Sequence, residues 1–283
     1  MDRYRVVQCV RVPAFLYGTA WKEARTEELT RFALEAGFRG IDTANQRRHY
    51  FEDGVGAAVE DALRAGALGR EDLFLQTKFT SVHGQDARIP YDPAADEATQ
   101  VRQSLEISLA HLGTDHVDSY VLHGPTTLRG ISATDWMVWR AMEALQREGK
   151  ALLIGLSNVA LDQVAAIHEG ALVKPAFVQN RCFASTGWDR EVRAFCVHHG
   201  IAYQGFSLLT ANARELRSAV VNRAAQRTGR SAAQVVFRFA LEVGMIPLTG
   251  TTSRAHMQDD LACFDFELQP AEVEMLSRVS SDL

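Results

Sequence analysis

Four features are scarce in this chain of 283 residues, and each scarcity removes a class of protein. Cysteine occurs four times, as Cys9, Cys182, Cys196 and Cys263, with no CxxC pair and no metal-type spacing. A disulfide scaffold and a thiolate metal site are therefore not expected, and reduced thiols in a cytoplasmic protein are the plain reading. No apolar run approaches the roughly 18 residues of a membrane span, and "MDRYRVVQCVRVP" lacks the continuous apolar core of a secretion signal. Neither a membrane partner nor export is expected. Basic charge is not in excess: 30 Lys and Arg stand against 35 Asp and Glu, a formal net charge of −5. That argues against nucleic acid as the main partner and leaves room for a local basic pocket that takes a phosphate. The glycine-rich GxGxxG turn that opens a doubly wound dinucleotide-binding sheet is missing too.

What is present is an ordinary globular mix, 47% apolar and 23% charged, enough for a sizeable core. After a basic start that reads as a small hairpin, short apolar runs alternate with amphipathic stripes. "AFLYGTA" is a first strand, and Leu29, Phe32, Ala33 and Ala36 follow at helical spacing before Gly37. "RGIDTA", "LFLQTKF", "VDSYVLH", "ALLIGLS", "AFVQN", "IAYQGFS" and "MIPLTG" supply seven more strands. Most are followed by an apolar stripe and a glycine; Ser231 with Gln234 makes a capping box, and Pro270 opens a closing helix. The strands are short and do not alternate apolar with polar, as expected when both faces are covered. About eight strand-then-helix units without a composition break predict one (β/α)8 barrel over residues 1–283. In such a barrel the C-terminal strand ends share one mouth. The loop from Thr80 to Asp96 is too long for a tight connection, which marks it as functional or mobile.

The strand ends carry the chemistry. Asp42, Lys78 and His123 each close a strand, and Tyr50 lies on the loop after Asp42. Ser157, Asn158, Gln179, Phe206 and Ser207 close later strands. A carbonyl that accepts a hydride needs a proton on its oxygen. A tyrosine near pKa 10 is a poor acid-base group at neutral pH, and a neighbouring ammonium lowers that value. Lys78 would then tune Tyr50, Asp42 would hold Lys78, and His123 would orient the carbonyl. Ser157, Asn158 and Gln179 suit a carboxamide, and Phe206 offers a face for a ring. Each residue also has a plain reading. Lys78 with Asp42 makes a structural ion pair, His123 before Gly124 and Pro125 is a turn residue, and Ser157-Asn158 caps a helix. Pocket walls are expected from Trp21, Phe79, the Thr80 to Asp96 loop and Phe183.

The motifs "GIDTA", "TK" at Lys78, "VDSYVLH", "GLSN", "FVQN", "GFSLL", "IPLTGT" and "FDFEL" occur in one order from Gly18-Thr19 to Leu268. Singly weak and jointly specific, they resemble the aldo-keto reductases. The resemblance implies a barrel that binds a nicotinamide cofactor, NADPH by default with NADH as the alternative, and reduces small-molecule carbonyls. It implies Asp42, Tyr50, Lys78 and His123 as the catalytic set. It also implies contacts to the cofactor from Gly18, Thr19, Ser157, Asn158, Gln179, Phe206, Ser207, Leu209, Arg254 and Asp260, and no metal. The chain departs from the family pattern in three places. The spacing from Asp42 to Tyr50 is longer than usual, so that Arg47 stands where the tyrosine would fall and His49 adjoins Tyr50. Leu208 replaces a proline, and Leu248 replaces a basic residue that would meet the 2′-phosphate. Two other readings compete: an aldolase-like barrel with a Schiff base on Lys78, and a reductase-like barrel that keeps its cofactor as a regulatory ligand.

Overall fold

The computed structural model describes residues 2–66 and 68–279. Strands β1 (Tyr4–Val7) and β2 (Val10–Pro13) form an antiparallel hairpin. Gln8 and Cys9 turn it with φ of 45° and 69°, the left-handed pair that a two-residue hairpin loop requires. Val7, Val10 and Val12 pack onto Leu16, Phe74, Leu153, Phe177, Ile246 and Leu248. The hairpin is thus an apolar plug under the barrel. Arg5 fastens it, donating to the carbonyl oxygens of Gly244 at 2.6 Å and Met245 at 2.8 Å.

Eight parallel strands close the barrel: β3 (Leu16–Gly18), β4 (Gly40–Asp42), β5 (Phe74–Phe79), β6 (Val117–Leu122), β7 (Ala151–Ser157), β8 (Phe177–Arg181), β9 (Ala202–Phe206) and β10 (Ile246–Thr249). The last strand pairs with the first, Leu248 opposite Leu16. This is the expected (β/α)8 architecture. Helices α1 (Thr26–Ala36), α2 (Glu52–Arg64), α3 (Glu97–Leu112), α4 (Ala133–Arg147), α5 (Leu161–Gly170) and α6 (Arg190–His198) lie between strands. They are followed by α7 (Ala219–Thr228), α8 (Ala232–Glu242), α9 (Arg254–Leu261) and α10 (Pro270–Ser277).

Local chemistry explains the helix ends. Gly37 stops α1 with φ 112°, and the expected capping box holds α8, with Ser231 N donating to Gln234 Oε1 at 2.9 Å. Helices α2 and α3 cross so closely at Gly56 that a Cβ there would meet the His111 carbonyl oxygen at 1.8 Å. Helices α7 and α9 were not anticipated. The stretch "RAHMQDDL" buries only Met257, Asp260 and Leu261, too thin a stripe to read as a helix in sequence.

Register decides what faces the mouth. Gly18, Asp42 and Gln76 are neighbours across β3 to β5, and Ser157, Gln179 and Gln204 are neighbours across β7 to β9. Along β5 the period of two sends Gln76 and Lys78 to the interior and Phe79 outward. Phe79 is buried against Tyr91, ring centroids 5.6 Å apart, so it belongs to the helix-side core and not to a pocket wall.

Candidate active site

Asp42 and Lys78 sit side by side on β4 and β5, both almost fully buried. Lys78 Nζ donates to Asp42 Oδ1 and Oδ2 at 2.7 Å each and to the Thr43 carbonyl oxygen at 2.8 Å. An ammonium has three hydrogens, and all three are used. Burial pushes the Lys78 pKa down, and the charge and hydrogen bonds of Asp42 oppose that shift. A lysine committed to three acceptors is poorly placed to attack a carbonyl, which removes support from the Schiff-base reading. Behind it lies a group not foreseen from sequence. The Glu52 carboxylate, buried at the start of α2, accepts from Thr77, Ser108 and His111, and its charge acts on Lys78.

The longer loop after Asp42 is absorbed by a turn. Tyr50 N donates to the Gln46 carbonyl oxygen at 3.0 Å and His49 N to the same oxygen at 3.1 Å. The turn carries Arg47 and Arg48 at its tip and brings Tyr50 back over the barrel. Its ring centroid lies 5.9 Å from that of His123, and Lys78 Nζ lies 5.2 Å from the ring centre. His49 points the other way and stacks on Trp21 at 3.8 Å. Sequence left open which of the two faces inward; in the structure it is Tyr50. The loop is clamped from the far side, Gln46 Nε2 to Gly84 O at 2.7 Å and Gln85 Nε2 to Asn45 O at 2.9 Å. That ties the long Thr80 to Asp96 connection to the site.

One electrostatic expectation is reversed. Lys78 was expected to lower the pKa of Tyr50. Instead burial, and after it the negative charge of Asp42, raises it well above the usual phenol value. The reason is chiefly that burial disfavours the charged phenolate. A phenol held protonated is what a proton donor requires. His123 is pushed down to about 3 by burial first and by Lys78 second, so its ring is neutral. Its Nδ1 bonds Thr80 Oγ1 at 2.7 Å, which leaves Nε2 for another partner.

On the opposite wall, Ser157 Oγ donates to the Gln179 carbonyl oxygen at 2.7 Å, and Asn158 Nδ2 to that of His123 at 2.8 Å. Gln179 Nε2 is directed into the barrel, to Asp42 Oδ1 at 3.0 Å and Gln204 Oε1 at 2.9 Å. Trp21, Asn158 and Ser207 hold left-handed φ of 62°, 54° and 57° at the ends of β3, β7 and β9. Non-glycine residues in that region carry strain, and here the strain rings one mouth.

A family model, the aldo/keto reductase family, matches residues 16–281. The chain belongs to that family. This aldo/keto reductase is 28% identical over 276 residues to an uncharacterised oxidoreductase, YtbE, of Bacillus subtilis, covering 97% of this chain and 91% of the other. It is 27% identical over 264 residues to the methylglyoxal reductase DkgA of Salmonella typhimurium, covering 92% and 86%. A solved aldo/keto reductase of Brucella melitensis superposes with a TM-score of 0.82 at 25% identity, covering 99% of this chain and 100% of that one. The protein is therefore an oxidoreductase of carbonyl compounds, from a family that uses nicotinamide cofactors.

The remaining residues of this reductase that were assigned to the cofactor divide. Gly18 and Ser207 are partly exposed at strand ends, as is Phe206. Leu209 is half-buried against the core. Two of the assigned side chains are engaged within the protein. Thr19 is fully buried and donates its hydroxyl to the Asp42 carbonyl oxygen at 3.0 Å, so it supports β4 and shows no free hydroxyl. Asp260 lies on the packing face of α9, not on its solvent face, and accepts from Thr249 Oγ1 at 2.8 Å; burial raises its pKa to about 6. Arg254 is exposed but engaged, paired with Glu35 at 2.7 Å and lying 4.9 Å over the Phe32 ring.

Sequence reading missed Lys22. It is buried, no carboxylate lies within ion-pair distance among the described residues, and Nζ donates to the Gly250 carbonyl oxygen at 2.7 Å. Burial first, and Arg25 second, lower its pKa to about 8. A buried cation without a counter-charge is costly unless an anion joins it. Next to it lies the N-terminus of α9, where Ser253 caps the helix. Among the described residues no group of three or more His, Cys, Asp or Glu is arranged to hold a metal, and no helix is long and apolar enough to cross a membrane.

Proposed function

We propose that this enzyme reduces a small aldehyde or ketone with NADPH, with Tyr50 as the proton donor and His123, Lys78 and Asp42 in support. The observation that carries the reading is the return of Tyr50 to the mouth, beside Lys78 and His123, despite the lengthened loop. Among the described residues the phenol hydroxyl has no hydrogen-bond partner, which leaves it for a carbonyl oxygen. The residues present fit a nicotinamide nucleotide. Lys22 needs an anion, Gln179 keeps an unbonded amide oxygen, and Phe206 offers a ring face at the end of β9. When bound, the nucleotide supplies the hydride. His123, neutral at working pH, donates from Nε2 to the carbonyl oxygen if Thr80 donates to Nδ1, and so aligns it beneath Tyr50. Tyr50 then gives its proton to that oxygen as the carbonyl carbon is reduced, and the Lys78 ammonium stabilises the phenolate left behind. Lys22 and the start of α9 would hold phosphate groups, and Arg254, once released from Glu35, would read the 2′-phosphate.

The likeness to a methylglyoxal reductase makes small dicarbonyls the first substrates to try, with α-ketoesters and keto-sugars beside them. NADPH oxidation with this panel tests the reading. Tyr50→Phe is expected to lose about 10²- to 10⁴-fold in turnover with NADPH affinity nearly unchanged. His49→Ala is expected to keep turnover. The opposite result would move the acid to His49.

A further inference from the structure

The floor of the mouth contains more amide groups than the reaction uses. Gln76 on β5 and Gln204 on β9 are fully buried, and Gln179 on β8 is nearly so. Gln76 and Gln204 bond each other twice: Gln76 Nε2 donates to Gln204 Oε1 at 2.8 Å, and Gln204 Nε2 to Gln76 Oε1 at 2.9 Å. Gln76 Nε2 also donates to Asp42 Oδ1, at 2.7 Å. Gln179 Nε2 donates to the same Asp42 oxygen at 3.0 Å and to Gln204 Oε1 at 2.9 Å. Asp42, Gln76, Gln204 and Gln179 therefore form one closed circuit that spans the barrel from β4 to β9.

Which way an amide points is ordinarily a free choice of the network. Here an acid removes the choice. A carboxylate only accepts, so Gln76 and Gln179 must both turn their NH2 groups to Asp42. The oxygen of Gln76 then faces Gln204, which must donate to it. The oxygen of Gln204 is left to receive the two remaining N–H groups, one from each neighbour. Five of the six amide N–H groups are used within the circuit. The acceptor left over is Gln179 Oε1, which has no hydrogen-bond partner among the described residues and is not fully sealed from solvent.

We propose that Gln76 and Gln204 are positioning residues that fix the Gln179 amide with its oxygen toward the ligand, using the charge of Asp42 as the reference. The inference rests on the reading that a nicotinamide ring lies against Gln179. In that place Gln179 accepts from the N–H of the carboxamide. If Gln179 were turned over, two NH2 groups would face each other and the contact would be lost. The acid that anchors Lys78 thus also sets which end of the cofactor's amide is read. Partly broken networks in a dry interior are costly, so the circuit acts as a unit.

Two substitutions at Gln204 separate this role from space filling. Gln204→Met keeps the volume and strands two N–H groups and one carbonyl. Gln204→Glu keeps the circuit when the introduced carboxyl is protonated, since that group accepts twice and donates once. When ionised, it donates nothing and places a second negative charge beside Asp42. Dissociation constants are measured by fluorescence titration from pH 5 to 9, for NADPH and for its 3-acetylpyridine analogue, which has no amide N–H. The wild type is expected to prefer NADPH. Gln204→Met is expected to bind NADPH about tenfold more weakly and to lose that preference, the loss of a hydrogen bond or two. Gln204→Glu is expected to match the wild type at low pH and to weaken as pH rises. Unaltered affinity and preference in Gln204→Met, or a wild-type pH profile in Gln204→Glu, overturns the proposal. If Gln204→Met does not fold, the pH profile of Gln204→Glu decides alone. A wild-type chain that binds neither nucleotide refutes the reading of the site itself, and this inference falls with it.

Discussion

Replacing Lys78 by methionine tests the centre of the site in two currencies, stability and rate. The side chain is nearly isosteric, so the change removes a charge and three hydrogen bonds without opening a large cavity. Breaking a buried pair by deleting one partner costs about 3–5 kcal/mol, because the other charge stays buried. Asp42 would keep two donors, Gln76 Nε2 at 2.7 Å and Gln179 Nε2 at 3.0 Å, which puts the expectation at the lower end. For a chain of this size, about 3 kcal/mol corresponds to a fall in Tm of roughly 6–12 °C. The rate argument is separate. A unit charge 5.2 Å from the Tyr50 ring, in surroundings of effective dielectric near 20, is worth about 3 kcal/mol to a phenolate. Turnover should therefore fall on the order of a hundredfold or more, since Asp42 would then face the phenolate unopposed. The double variant Lys78→Met with Asp42→Asn separates the two effects. The new amide accepts from Gln76 and Gln179 through its oxygen and donates toward the Thr43 carbonyl, so stability should return while turnover does not. Denaturant melts and NADPH oxidation at saturating substrate supply the numbers. A single variant that is both stable and active, or a double variant no more stable than the single one, would refute the reasoning.

Three more outcomes follow from charged groups around the mouth. The Lys22 ammonium is present below its pKa of about 8 in the free protein, so NADPH affinity should be full below that pH and decline by up to about tenfold per pH unit above it. Lys22→Met should bind weakly with a flat profile, and a flat wild-type profile from pH 7 to 9.5 contradicts a phosphate contact there. Asp260, raised to about 6 by burial, carries no ionisation cost below its unfolded value near 3.8 and the full cost above 6. Asp260→Asn, which keeps the acceptor for Thr249, should add about 1–3 kcal/mol at pH 8 and nothing at pH 4, read from urea melts; equal gains at both pH values exclude this cause. Arg254→Ala should lower NADPH affinity about tenfold to a hundredfold and leave NADH unaffected. Glu35→Gln, which frees Arg254 from an exposed pair worth little by itself, should raise the preference for NADPH slightly. A strong preference for NADPH that survives Arg254→Ala means another basic group reads the phosphate.

Much of this protein was legible without coordinates, and for definite reasons. The eight strands announce themselves because each is a short apolar run bounded by a glycine and an amphipathic stripe, and both patterns are local. Barrel closure follows from their number and from the want of a glycine-rich switch-point turn. Asp42, Lys78 and His123 stood out because a charged or polar residue at the end of an apolar strand is locally anomalous. What lay beyond reach depended on neighbours distant in sequence. Whether His49 or Tyr50 faces inward depends on a turn closed by the Gln46 carbonyl and clamped by Gly84. The protonated state of Tyr50 depends first on how deeply its ring is buried and then on the Asp42 charge. The directions of Asp260 and Thr19 come from helix packing and strand register, and nothing in "TAWKEA" says that the Lys22 ammonium is buried. The glutamine circuit is the clearest case. Gln76, Gln179 and Gln204 are up to 128 residues apart, each an ordinary polar residue in its own segment. Only closure of the barrel brings them to one level, where a single carboxylate orients them all.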